Sequence, residues 1–166
     1  MKARWPVAGV LGLSGIALFS GNVFATTPAP GVTTTILAKS TLAQLHLNAR
    51  TDPADDWSAQ LITHGATDAY VVDNKFAPGS DTGWHSHPGP SLVFVVTGTV
   101  TNYTSADPTC SPHTYSAGSN FIDNGGNDSH LLRNTGTTPA ETIAVQLLPN
   151  GAGLLHEQVT VVSHAA

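Results

Sequence analysis

Two histidines that stand two residues apart, His85 and His87, are the side chains of this sequence best placed to do chemistry. They come just before an apolar run, Ser91 to Gly98, that is typical of a β-strand. In a strand, residues i and i+2 point to the same face, so both imidazoles can reach one point in space. A third candidate, His130, lies further along the chain. Three neutral imidazoles suit a first-row transition metal and leave coordination positions open for water or substrate.

The remaining histidines have no partner at comparable spacing, and we interpret them as surface or core residues: His46, His64, His113, His156 and His164. His113 is the most interesting of them because Cys110 precedes it by three residues, which makes a plausible local metal or thiol pair. One such pair is a weak indication. Cys110 is the single cysteine, so it cannot form an internal disulfide, and burial is the common outcome for a free thiol. Pairing between chains and reaction as a thiol are the alternatives.

The elements that must position these histidines are predicted to be β-strands. Only 10% of the residues are charged, and no stretch shows helical periodicity with caps. Many short strands with turn residues between them predict an all-β sandwich or barrel. The predicted strands are 33–37, 42–49, 57–63, 69–72, 92–96, 100–104, 121–122, 130–133, 141–148 and 159–162.

The most prominent prediction among them is a β-hairpin. Its first strand, Leu92 to Val96, is expected to be buried because its residues are all apolar. Thr97-Gly98-Thr99 is the predicted turn, and Val100 to Thr104 is the returning strand.

The N-terminal residues predict a secretory signal peptide. Lys2 and Arg4 form a positive n-region, and Val7 to Phe19 is an apolar stretch too short and too broken by glycine to span a bilayer. Val23-Phe24-Ala25 offers small residues at the two cleavage positions. We therefore expect cleavage after Ala25 and a periplasmic or secreted protein. An uncleaved N-terminal anchor is the alternative.

The expected organisation is a signal peptide (1–25), an N-terminal arm with edge strands (26–55), a single β-barrel domain (56–150) and a C-terminal tail or strand (151–166). Without the signal peptide, four basic residues stand against eleven acidic ones, a net charge of −7. Such a charge suits neither nucleic acid nor an anionic membrane surface. The expected partner is a small molecule, with no nucleic acid and no stable membrane anchor.

The spacing around the two histidines resembles the first motif of the cupin superfamily. That motif is a Gly, five residues, His-x-His, three or four residues, a Glu, six residues and a Gly. Gly79 stands five residues before His85, His87 follows, and Gly98 closes the pattern. More narrowly, the run GWHSHPGP at 83–90 is similar to a group of small bacterial cupins.

The second cupin motif, a His followed four residues later by an Asn, is matched by His130 and Asn134. Its preceding glycine stands one residue out of register, at Gly126. The resemblance covers residues 68–148. It implies a single cupin β-barrel of the jelly-roll, double-stranded β-helix type, and often a homodimer. It also implies that a metal lies between the two motifs, with His85, His87 and His130 as its ligands.

Ser91 stands where the family pattern has its metal-binding Glu. Three imidazoles without a carboxylate leave the full positive charge of the ion in place. This predicts a stronger Lewis acid, which attracts an anionic substrate or lowers the pKa of a bound water further. Ser91 lies four residues from His87 on the same strand face, so we expect it to point into the site. It either hydrogen-bonds a bound water or substrate, or fills space.

Four further residues are candidates for the cavity wall or for supporting the ligands. Trp84 directly precedes the first ligand and can wall the cavity, and Gln146 lies on a late strand and can face the barrel interior. Asp123 can accept a hydrogen bond from a ligand imidazole, as carboxylates often do around metal sites. Asn134 can orient a loop. A purely structural role is the alternative for each.

These residues predict an exported, metal-dependent enzyme acting on a small molecule, either a dioxygenase-like oxidoreductase or a redox-neutral lyase or isomerase. The sequence offers no obvious Glu, Lys or Tyr as a proton shuttle. The alternative is therefore a non-catalytic module that binds a small ligand or a metal. Outside the cytosol, intrinsic affinity decides which divalent metal is bound, which favours Zn or Cu in the isolated protein. Fe, Mn and Ni are the further candidates.

Overall fold

The computed structural model describes residues 30–50, 57–126, 128–154 and 157–158. The predicted signal peptide with its cleavage site after Ala25, the segment 51–56 and the predicted strand 159–162 lie outside the described residues. Within them every regular element is a β-strand, which confirms the all-β prediction. In the described part of the chain no helix has the length and apolar character needed to cross a membrane.

The described strands are β1 (Val32–Leu42), β2 (His46–Arg50), β3 (Ser58–Ile62), β4 (Thr67–Phe76), β5 (His85–Ser86), β6 (Ser91–Thr97), β7 (Thr99–Thr104), β8 (His113–Ser116), β9 (Asn120–Asp123), β10 (His130–Arg133), β11 (Ala140–Pro149) and β12 (Glu157–Gln158). One five-stranded sheet has the order β1-β4-β11-β6-β9, and a second has the order β12-β5-β10-β7-β8. β2 and β3 pair with each other in a third, two-stranded sheet. These ladders are antiparallel, and together they give the predicted jelly-roll barrel.

The core lies between the two large sheets. In β6, β9, β10 and β11 alternate residues point inward, as the two-residue period of a strand requires. In β11, for example, buried and half-buried residues alternate along its whole length. Phe76, Val100 and Leu148 are fully buried within this core. The buried histidines share this interior with other buried polar side chains, among them Thr142 and Gln146.

The prediction that Leu92 to Val96 is buried is wrong for three of its five residues. Val93 and Val95 point into the core and are 5% and 3% exposed. Leu92, Phe94 and Val96 point outward and are 37%, 43% and 48% exposed. A continuous apolar run does not distinguish a strand covered on both faces from one covered on a single face.

The predicted hairpin is also wrong. β6 pairs with β11 and β9 in the first sheet, whereas β7 pairs with β10 and β8 in the second. Gly98 has a φ of +70° and is the corner at which the chain passes from one sheet to the other. A Cβ atom there would stand 2.6 Å from the carbonyl oxygen of Pro139. Only glycine combines that backbone conformation with so close an approach.

The connection between β9 and β10 is pressed against the loop that follows β5. The amide of Gly126 donates to the carbonyl of His87 at 2.7 Å. Gly125 has a φ of +71°, and a Cβ atom there would overlap the carbonyl group of Gly89. This contact fixes the ends of β9 and β10 relative to His87, and so it fixes the geometry of the site.

We predict that Gly125→Ala destabilises the fold more than Gly126→Ala. Both residues have a left-handed φ, so alanine costs about 1 kcal/mol at either position. At Gly126 a Cβ atom meets open space, but at Gly125 it overlaps backbone, which raises the expected loss to about 3 kcal/mol. Denaturant unfolding of the two variants measures the difference. Equal losses would contradict the close contact with Gly89.

Candidate metal centre

The central feature of the site is a pairing between β5 and β10. In that ladder His130 lies directly opposite His85. His87 follows β5 and stands two residues beyond His85, so all three imidazoles are buried at the same end of the barrel. The ring centroids are 4.4 to 5.3 Å apart. The structure thus brings together the three histidines that the two sequence motifs singled out.

The Nε2 atoms of the three rings face one another. His130 Nε2 lies 3.0 Å from His85 Nε2 and 3.3 Å from His87 Nε2. All three candidate ligand atoms lie within 4.8 Å of one another. Metal–nitrogen bonds of about 2.1 Å that meet at about 90° to 105° place their nitrogens about 3.0 to 3.3 Å apart. The two pairs that include His130 therefore have the spacing of ligands on one divalent transition metal, and the third pair lies within 4.8 Å.

The outer nitrogens of two of these rings are held by backbone carbonyls. His85 Nδ1 donates to the carbonyl of Gly83 at 3.0 Å, and His87 Nδ1 donates to the carbonyl of Leu154 at 2.8 Å. A carbonyl oxygen only accepts, so each Nδ1 carries the hydrogen and each Nε2 presents its lone pair to the common point.

Gln146 Nε2 lies 3.2 Å from His87 Nδ1. His130 Nδ1 is buried, and no described group bonds to it.

Burial also keeps two of the rings neutral. Burial, together with the neighbouring imidazoles of His130 and His87, lowers the pKa of His85 to about 3. For His130, burial and the nearby His87 ring likewise lower the pKa to about 3. A neutral imidazole is the form that binds a metal.

A cavity of about 240 Å³ opens onto the three rings. The surface that its described lining exposes is mainly apolar, although eight of the thirteen lining residues are polar: Thr34, Val72, Asn74, His85, His87, Ser91, Val93, His130, Leu132, Thr142, Ala144, Gln146 and Leu154. Ser91 is buried and lines this cavity, so it points into the site as expected. Gln146 lines it as well, and so faces the barrel interior.

Two of the other candidates lie apart from the cavity. Trp84 is half-buried and is not part of the described lining. Asn134 is fully buried and donates to the carbonyls of Phe76, Ala77 and Thr138 at 2.8 to 3.3 Å. These bonds orient the loops at the ends of β4 and β10, which is the role expected for Asn134.

Asp123 occupies a position that the sequence did not predict. Its Oδ2 atom lies 3.6 Å from His87 Nε2 and 3.8 Å from His130 Nε2, on the side where the nitrogens converge. Asp123 was expected to accept a hydrogen bond from a ligand imidazole. At both His85 and His87, however, the outer nitrogen donates to a backbone carbonyl. Because Ser91 stands where the family pattern has its Glu, the sequence predicted a metal site with no carboxylate nearby. The structure instead places the carboxylate of Asp123 beside two of the candidate ligands. The alternation Phe121-x-Asp123, which puts both residues on the inner face of a strand, was the available indication.

The pair formed by Cys110 and His113 is separate from this cluster. His113 lies on β8 and is exposed, and the candidate metal ligands among the described residues do not include it. Cys110 is free and half-buried, with a left-handed φ of 52°. The expectation that its thiol is fully buried is thus only partly met.

Comparison with known proteins gives the same family as the motifs. Residues 74–146 match the family model described as "Cupin domain". The chain is similar to a cupin domain from Bordetella pertussis, with 17% identity over 74% of this chain and 98% of that chain and a TM-score of 0.46. A predicted oxalate decarboxylase from Thermotoga maritima is 24% identical over 51% of this chain and 82% of that chain, with a TM-score of 0.40. A cupin superfamily protein from Desulfitobacterium hafniense is 11% identical over 68% of this chain and 79% of that chain, with a TM-score of 0.42. No curated protein matches the sequence.

We predict that the metal-free protein loses stability as the pH falls from 7 toward 4. Unfolded imidazoles take up protons near pH 6.5, whereas His85 and His130 resist protonation in the folded state down to about pH 3. The unfolded state therefore binds more protons in this window, and the unfolding free energy falls by a few kcal/mol, at about 1.4 kcal/mol per unit of pKa shift. Chemical unfolding of chelated protein at several pH values measures the slope.

The variant His130→Gln isolates this effect from the carboxylates that also titrate at low pH. It should have a shallower slope than the wild type, because one buried imidazole is gone. His113→Gln, at an exposed position, should keep the wild-type slope. Identical slopes in all three proteins would show that the buried rings do not control the pH dependence.

Proposed function

Because residues 74–146 form a cupin domain, we propose that the protein is a metal-dependent enzyme acting on a small, largely apolar molecule with one polar group that reaches the metal. The observation that carries this proposal is the convergence of three buried Nε2 atoms on the wall of a cavity of about 240 Å³. His85, His87 and His130 would hold the metal. A cavity of this size accepts a molecule somewhat smaller than a typical drug.

Each residue of the site has a definable part in such a reaction. A divalent metal supplies polarisation of a substrate oxygen or a bound water of lowered pKa. The carbonyls of Gly83 and Leu154 fix the orientation of two ligand rings, so the site is organised before a substrate arrives. Ser91 presents its hydroxyl group to the same cavity and can hydrogen-bond the substrate or a water.

The lining restricts the class of substrate. Its described part contains no Lys or Arg, so a substrate with two negative charges would find no cationic side chain there to pair with the second. Thr142 Oγ1 and Gln146 Oε1 are buried polar atoms with no described hydrogen-bond partner, and both residues line the cavity. They are available to the polar group of a ligand. A neutral or singly charged molecule with an apolar body suits this arrangement best.

Two reaction classes agree with these groups: a dioxygenase-like oxidation and a redox-neutral lyase or isomerase reaction. The proposed export from the cytosol favours Zn or Cu in the isolated protein, since intrinsic affinity then governs occupancy. Elemental analysis of protein purified from the periplasm or culture medium tests this part. Fe or Mn as the dominant metal would contradict it.

A non-catalytic binding module is the second candidate, and one observation favours it. The described lining contains no Asp, Glu, Lys or Tyr, so beside the imidazoles no ionisable group that could shuttle a proton borders the cavity. Incubation of the metal-loaded protein with a small-molecule library, followed by mass spectrometry, distinguishes the two. Metal-dependent conversion supports the enzyme, whereas metal-dependent retention of an unchanged compound supports the module.

The homodimer implied by the cupin resemblance stays a prediction. Leu92, Phe94, Val96 and Ile122 are exposed apolar residues on the outer face of β6 and β9. Such a cluster is common where two protein surfaces meet, but it also occurs on monomers. The molar mass in solution, measured by light scattering, decides the question.

We predict that His85→Ala, His87→Ala and His130→Ala each lose most of the bound metal, because each removes one of the three converging imidazole ligands. His113→Ala is the matched control and should keep the wild-type stoichiometry. Elemental analysis of each variant after reconstitution with Zn measures the loss. Retained metal in His130→Ala, or less than about one metal per five chains in the wild type, would contradict the proposed site.

A further inference from the structure

We propose that Asp123 is a fourth protein ligand of the metal, and that it supplies from β9 the carboxylate that the cupin pattern places at position 91. The inference rests on the proposed function, because it concerns the same three-histidine site. It assigns Asp123 a role different from the outer hydrogen-bond acceptor that the sequence predicted.

The register of β6 and β9 makes it feasible for the carboxylate to come from β9 instead of β6. Ser91 and Asp123 are direct partners in that antiparallel ladder, and both are buried. Side chains of directly paired residues project from the same face, with Cβ atoms about 5 Å apart. A carboxylate at position 123 therefore reaches nearly the same region of the interior as one at position 91.

The carboxylate of Asp123 has one oxygen engaged and one oxygen free. Oδ1 accepts a hydrogen bond from the amide of Gly125 at 3.0 Å, which holds the group in place. Oδ2 is buried, and no described group donates a hydrogen bond to it. An uncompensated buried carboxylate costs several kcal/mol, so a partner for Oδ2 is expected.

The nearest groups to Oδ2 point to a cation as that partner. Oδ2 faces the Nε2 atoms of His87 and His130 at 3.6 and 3.8 Å. His87 Nδ1 carries the hydrogen of that ring, so its Nε2 is an acceptor and repels a carboxylate oxygen. A cation between them converts the repulsion into two favourable interactions.

The distances are close to those of a tetrahedral site. Bonds of about 2.1 Å at the tetrahedral angle separate the oxygen and a nitrogen by about 3.4 Å. The observed 3.6 and 3.8 Å exceed this by a few tenths of an ångström. These distances join Oδ2 to His87 and His130, and the group of mutually close ligand atoms does not include Asp123. Ligation by all four residues therefore requires Oδ2 to move toward His85.

A fourth ligand of this kind changes the charge of the site. A carboxylate leaves a divalent ion with a net charge of +1, where three imidazoles leave +2. The site is then a weaker Lewis acid than the sequence predicted. The smaller charge also agrees with a cavity lining that suits neutral or singly charged molecules.

The test is a titration of the chelated protein with Co(II), followed by its visible absorption. Asp123→Asn keeps the side-chain volume and an oxygen for the amide of Gly125, but removes the anionic ligand. We expect the Co(II) affinity to fall by more than about 100-fold, beyond the range found for residues that only support a ligand. We also expect the absorption bands to change in position or intensity, because the set of ligand atoms changes.

Two further variants make the result specific. Ser91→Glu combined with Asp123→Ser returns the carboxylate from the paired position, and it should recover the Co(II) affinity to within about tenfold of the wild type. Asp73→Asn is the matched control, since Asp73 on β4 is also a buried aspartate with one oxygen that no described group bonds. It should bind Co(II) like the wild type.

The outcomes separate this inference from the proposed function. An unchanged Co(II) spectrum in Asp123→Asn, while His85→Ala loses the metal, overturns the inference and leaves the three-histidine site standing. Failure of the wild type to bind Co(II) removes the site itself and the inference with it. If Asp123→Asn does not fold, the double variant Ser91→Glu with Asp123→Ser decides. A Co(II) affinity and spectrum like those of the wild type support Asp123 as the ligand, and their loss contradicts it.

Discussion

The structure depends on the cross-strand pairing of His85 with His130. This single register places two imidazoles from distant parts of the chain against each other, and His87 joins them two residues later. Nitrogen lone pairs that face one another at 3.0 to 3.3 Å in a buried site are unfavourable without a cation or proton between them. The barrel tolerates them because backbone carbonyls fix two of the rings and the apolar core holds the strands in register. A site of this kind lowers the folding stability of the metal-free protein, and it gives the protein a strong affinity for a positive charge.

The connections of the barrel are as important to the site as its strands. Gly98 turns the chain from one sheet to the other, so that β6 can contribute Ser91 to the wall opposite β10. Gly125 lets the end of β9 approach the loop that carries His87. Both positions require a left-handed backbone against nearby backbone atoms, which explains why glycine occupies them. The geometry of the metal centre is thus set by close contacts between loops as well as by pairing.

The charges of the buried side chains around the three histidines agree with the binding of a single cation between their Nε2 atoms. Burial disfavours protonation of His85 and His130, and the described cavity lining has no basic side chain. Asp123 places a carboxylate oxygen 3.6 and 3.8 Å from two of the three nitrogens. A single divalent ion there would satisfy the imidazole nitrogens and the free carboxylate oxygen together, and would leave the rest of the cavity to an apolar ligand.

Much of the protein was determined by local sequence. The strand His130–Arg133 and the all-β composition are properties of short segments, and the structure agrees with both. The expected convergence of His85 and His87 also holds, although β5 ends at Ser86 and His87 lies just beyond it. The motifs likewise identified the three histidines, since ligand spacing is a local pattern. Tertiary structure alone decided which strands pair, because pairing joins residues far apart in sequence and leaves no local periodicity. For that reason the predicted hairpin of β6 and β7 was wrong, the outward face of β6 was unforeseen, and β8 was missed. The position of Asp123 was not predicted for the same reason. Its carboxylate reaches the histidines only because β9 lies beside β6, with residue 123 opposite residue 91.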